Sequence, residues 1–72
     1  MQTLAEVKEK GKYIVTDILG EPLFLRRLAE MGMVVSSNLT VISIFQNGSG
    51  LVIFLRGQRL ALSYSLASSI LV

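Results

Sequence analysis

Arg26-Arg27-Leu28-Ala29-Glu30-Met31-Gly32-Met33 reads as the last turns of a short helix stopped by a glycine, and that reading decides the fold. Upstream, Pro22 stands where a helix begins, since the first helical position has no use for the N–H that proline lacks. Phe24, Leu25, Leu28 and Met31 recur at i, i+3, i+4 and i+7 spacing and make one apolar stripe. Leu23, Arg26, Arg27 and Glu30 fall on the other face. Gly32 is placed to take the left-handed conformation that ends helices.

On either side of this helix the period changes to that of strands. Tyr13-Ile14-Val15-Thr16-Asp17-Ile18-Leu19 is rich in β-branched and aromatic residues and predicts the first strand, broken by Gly20-Glu21-Pro22. Asn38 to Phe45 predicts a second strand, with Leu39, Val41 and Phe45 alternating against Thr40, Ile42 and Ile44. Gln46-Asn47-Gly48-Ser49-Gly50 is a hairpin loop, Asn-Gly being a strong turn signal. Leu51 to Leu55 is apolar throughout and predicts a third strand buried on both faces. Arg56-Gly57-Gln58-Arg59 is a tight turn, and Leu60-Ala61-Leu62 a fourth strand with its leucines inward. Ser63 or Ser65 can cap a short helical turn, and Ile70-Leu71-Val72 is a last short strand. At the other end, Thr3-Leu4-Ala5-Glu6 fits a loose capping box over a single turn. The expected fold is mostly β: one domain over residues 1–72, a small closed or partly closed barrel of about five strands, with one short helix inserted after the first strand.

Composition removes most chemistry. With no histidine and no cysteine, the chain lacks the usual nucleophile–base pairs, zinc sites and thiol redox centres, and an enzyme is not expected. The absence of cysteine also argues against a secreted, disulfide-stapled mini-protein. Asp17 and Glu21 flank a turn and read as a solvated loop; Met31 and Met33 read as core filler, so neither metal site nor cofactor is expected. Gly48-Ser49-Gly50 lacks the lysine and following helix of a phosphate loop. Tyr13 and Tyr64 are too few for a stacking platform, and Arg56 and Arg59 read as solvent-exposed turn residues. No apolar run reaches the roughly 20 residues of a spanning helix. The N-terminus has no signal-peptide pattern, so a cytoplasmic protein is expected. The 51% hydrophobic content is high for a small domain: either the core is unusually rich or apolar surface is reserved for a partner, a second copy of the chain included.

Arg-Leu-Ala-Glu-Met-Gly-Met at 27–33, Leu39-Thr40-Val41 in a strand, Gly57-x-x-Leu60-Ala61-Leu62, and Ala67-x-x-Ile70-x-Val72 together resemble the FeoA family. The match runs over nearly the whole chain, from Leu4 to Val72, in the family's order. The same unit occurs as the C-terminal domain of iron-dependent repressors. The resemblance implies an SH3-like barrel with a helix after the first strand. It implies a small cytoplasmic accessory or regulator of bacterial ferrous iron transport, acting by contact with the cytoplasmic part of FeoB, a GTPase-permease. Transition-metal binding belongs to family-level descriptions, and these residues lend it little support. Val35 and Ser36 stand where the family often has Pro-Gly, Ser63 where it often has arginine, and Ser65 where it often has an acid.

Under that resemblance the partner-binding residues are Leu23, Arg26, Arg27 and Glu30, on the outer helix face. Leu23 offers apolar area and the arginines offer orientation. Two alternatives stand beside it. One is a small basic β-barrel that binds nucleic acid, although the net charge of +2 is low for one. The other is a detached regulatory domain of a metal-dependent repressor, for whose helix-turn-helix 72 residues leave no room.

Overall fold

The computed structural model describes residues 2–72. A 3₁₀ turn at Leu4–Glu6 leads into β1 (Gly11–Ile14) and β2 (Asp17–Ile18). Helix α1 (Pro22–Glu30) follows, then β3 (Asn38–Ile44), β4 (Gly50–Leu55), β5 (Gln58–Ser63), the single-turn helix α2 (Tyr64–Ala67) and β6 (Ile70–Leu71). Strands β1, β3, β4 and β5 form an antiparallel sheet in the order β1-β3-β4-β5, and β2 pairs with β6 in a second, two-stranded sheet. The fold is the expected small SH3-like, mostly β domain with one short helix, but hydrogen bonding does not close it into a continuous barrel.

The expected first strand is two. Val15 N–H donates to the Ser37 carbonyl at 2.9 Å, and the Val15 carbonyl accepts from Ser36 N–H at 2.7 Å. One residue later, Thr16 N–H donates to Leu71 at 2.8 Å. The chain changes partner there, so β1 serves one sheet and β2 the other, and the helix follows the second of the six strands among the described residues. Val15, 1% exposed, anchors this corner in the core.

Two further expectations change. In β3 the register shifts between Val41 and Ser43: Val41 faces Ile53, whereas Ser43 faces Val52 and Ile44 faces Leu51. This bulge reverses which side chains point inward. Leu39 and Val41 are buried, Ile44 packs against the core, and Phe45 turns out to 41% exposure. Strand β4 is not buried on both faces. Leu51, Ile53 and Leu55 fill the core, while Phe54 on the opposite face is 43% exposed. A strand this apolar reads as two-sided, yet only one side of this sheet is covered.

The core is purely apolar: Leu4, Val15, Met33, Val41, Ile53, Leu55 and Ile70 are its largest fully buried side chains. Among the described residues no polar or charged side chain is buried. Ser63 caps α2, its Oγ accepting from Leu66 N–H at 3.3 Å, which decides between the two candidate serines. Glu6 closes the first turn by accepting from Thr3 N–H at 2.8 Å.

Candidate functional site

Helix α1 is held mainly at its C-terminal end. Pro22 occupies the first turn, and Leu25 N–H donates to the Glu21 carbonyl at 3.0 Å, with no side-chain cap. At the other end Gly32 takes φ +91. Gly32 N–H donates to Ala29 at 2.9 Å and Met33 N–H to Leu28 at 2.9 Å, the paired bonds of a Schellman ending. Leu28 and Met33, the residues that such an ending brings together, are both buried. Of the four stripe residues only Leu28 is fully buried; Phe24, Leu25 and Met31 are partly covered.

Leu23, Arg26, Arg27 and Glu30 all lie exposed on α1, with Leu23 at 58%. Their surroundings differ. Arg26 lines an open groove of about 510 Å³ whose other walls are Ile18, Pro22, Leu25, Met33, Val34 and Val35, with Asp17 at its edge. Glu30 lines a separate depression with Gly32, Arg56 and Gln58. Leu23 and Arg27 line neither of these.

The groove's far wall is a turn. Ser37 N–H donates to the Val34 carbonyl at 3.0 Å, and Ser36 at the third position has φ +78, while Val35 keeps an ordinary φ. This is the type II pattern, for which Pro-Gly is the preferred central pair. Here Val-Ser adopts it. Ser37 pins the turn by donating through Oγ to the Gly32 carbonyl at 2.9 Å and accepting from Val34 N–H at 3.0 Å. Val34 and Val35 are left 46% and 53% exposed. Sequence periodicity missed them because they belong to neither helix nor strand; two adjacent valines after a helix stop are the only signal.

Among the described residues no group of three or more His, Cys, Asp or Glu converges. The Asp17 carboxylate accepts from Ile18 N–H at 2.8 Å. Met33 is 1% exposed and serves the core. The groove beside α1 is apolar with a charged margin, a shape suited to contact.

The sequence pattern of the FeoA domain matches residues 2–72. The chain belongs to the FeoA domain family. Its fold is similar to that of a FeoA-like protein from Clostridium acetobutylicum, at 30% identity and TM-score 0.80 over 96% of this chain and 80% of that one. It is similar also to the FeoA protein from Chlorobium tepidum, at 27% identity and TM-score 0.82 over 97% of this chain and 67% of that one. The manganese regulator SloR shares the fold at 20% identity and TM-score 0.83, over 96% of this chain. This FeoA chain spans about a third (32%) of SloR's length. No curated protein matches it. Among its described residues no helix is long and apolar enough to cross a membrane.

Proposed function

We propose that this FeoA chain is a cytoplasmic accessory or regulatory protein of bacterial ferrous iron transport that works by touching the cytoplasmic part of a FeoB-type permease. Membership of the FeoA family carries the proposal. The exposed face of α1 supports it: Leu23 supplies apolar area, Arg26 stands at the margin of an apolar groove, and Arg27 and Glu30 add charge that sets orientation. The chain acts through contact and turns over no substrate, in keeping with its lack of histidine and cysteine. The test is titration of the permease's soluble part with the parent chain and with Arg26→Glu/Arg27→Glu. A loss of about tenfold in affinity, roughly 1.4 kcal/mol, is expected with the fold intact. Unchanged affinity removes the helix face from the interface.

A second reading is a regulatory module of a metal-dependent repressor, favoured by the likeness to the manganese regulator SloR. The neighbouring reading frames separate the two. An adjacent GTPase-permease supports the first, and a DNA-binding segment in the same polypeptide supports the second.

A further inference from the structure

Register brings together residues far apart in the chain. Lys12 on β1 faces Thr40 on β3, Thr40 faces Phe54 on β4, and Phe54 faces Arg59 on β5. Directly paired residues share a face, so these four form one row across the outer surface of the sheet. Three strand spacings make the row about 14 Å long. Phe54 is 43% exposed at its centre, with a cation at each end.

The strands that carry the row bear one sign of charge, and the nearest acid to the face is Glu30, which shares a depression with Arg56 at the helix end. All five acids lie in the first thirty residues, and from Met31 to Val72 the chain carries Arg56, Arg59 and no acid. Strands β1, β3, β4 and β5 contain no Asp or Glu.

Arg56 completes the face. It lines a cleft of about 250 Å³ with Lys12, Thr40 and Phe54. It occupies a two-residue hairpin turn with Gly57, at φ +51 and +84, because Leu55 pairs with Gln58. Such mirror-image turns favour Asn or Gly, and an arginine there is held in an uncommon conformation. Its stem lies over Gly32: a Cβ built at Gly32 would stand 2.5 Å from Arg56 Cδ. Backbone strain thus coincides with a guanidinium placed between the helix end and the sheet face.

We infer that the outer face of the sheet, centred on Phe54 and flanked by Lys12, Arg56 and Arg59, docks an acidic surface of the partner protein. This rests on the partner-contact reading above and names the chemistry of the partner's side. Charge complementarity selects an acidic partner. An aromatic centre with a basic margin has the layout of a protein interface, arginine and aromatics being favoured there. A single aromatic is a poor platform for successive bases, so a protein fits better than a nucleic acid strand.

The experiment titrates the soluble part of the permease with the parent chain, Lys12→Glu/Arg59→Glu, Arg56→Asn and Arg26→Glu/Arg27→Glu, at low and high salt. The sheet-face double variant is expected to bind about tenfold more weakly, with the salt dependence reduced. Arg56→Asn is expected to weaken binding while raising the unfolding midpoint, because asparagine suits the turn; a purely structural Arg56 would not move the two in opposite directions. Binding lost only in the helix-face variant overturns the inference and leaves the partner reading standing. An Arg56→Asn chain that binds like the parent also overturns it. No binding by the parent chain overturns both. Binding of a uridylate oligonucleotide that the sheet-face variant abolishes would reassign the face to single strands and overturn the inference.

Discussion

The four-stranded sheet and the helix edge of this FeoA chain are built on different terms. The sheet runs through long registers, with Val41, Ile53, Leu55 and Leu62 buried on its inner side, and its strands bear only positive charge. The helix edge is assembled from short pieces: two-residue β2, nine-residue α1, a turn at Val34–Ser37 and two-residue β6. There Leu28, Met33 and Ile70 are buried, but Ile18, Phe24, Leu25 and Met31 are only partly covered and Leu23, Val34 and Val35 are exposed, and Asp17, Glu21, Arg26, Arg27 and Glu30 mix both signs. Regular pairing holds one wall of the core, while caps and turns hold an edge that adds Leu28, Met33 and Ile70 to that core and leaves further apolar surface open. A domain of this size has little stability to spare, so the difference is testable by substitution.

The sharpest way to break the contrast is to remove the same kind of bulk from each side. Ile53→Ala deletes a side chain with 0% exposure and is expected to cost about 3–4 kcal/mol in chemical denaturation. Leu25→Ala on the groove wall, only partly buried, is expected to cost about 1 kcal/mol. Equal losses would show that the helix edge is as much core as the sheet.

Next comes the one glycine on which the sheet depends sterically. Gly50 begins β4 at φ +152, and a Cβ there would fall on the Leu62 carbonyl oxygen of the neighbouring strand, well inside contact distance. Backbone cannot yield as a side chain can. Gly50→Ala is expected to cost about 3 kcal/mol by equilibrium unfolding. The cap of α2 is a smaller matter: Ser63→Ala removes the acceptor for Leu66 N–H and is expected to cost about 1 kcal/mol.

These effects mark how far the amino-acid sequence could be read. Local chemistry was legible: Pro22 and Gly32 bracket α1 as expected, Asn47-Gly48 lies in the β3–β4 hairpin loop, and the outward residues of α1 followed from a 3.6-residue period. Long-range geometry was not. The run Tyr13–Leu19 holds no break residue, so nothing in it announces the change of sheet at Val15-Thr16, which is imposed by partners at Ser36, Ser37 and Leu71. The bulge after Val41 reverses the inward phase without a glycine or proline to signal it. The row of Lys12, Thr40, Phe54 and Arg59 exists only once register is known, because no spacing along the chain relates those positions.

The gentlest change tests the helix edge by improving it. Ser36 holds φ +78 in a turn whose neighbours are committed: its N–H donates to Val15 at 2.7 Å, and Ser37 is bonded to both Gly32 and Val34. A residue with a Cβ costs about 1–2 kcal/mol in that region, whereas glycine enters it freely. Against this, glycine makes the unfolded chain more flexible, at a cost of about 0.5–1 kcal/mol. The expected net gain from Ser36→Gly is about 0.5 kcal/mol, a rise of roughly 2–4 °C in the unfolding midpoint for a domain of this size. Ser36 lines neither the groove nor the sheet cleft, so affinity for a partner should not change. A gain in stability without a change in binding would show that the edge tolerates strain it does not use. No gain would mean that the surrounding hydrogen bonds have already absorbed it, and the two sides of the molecule would then be more alike than their architecture implies.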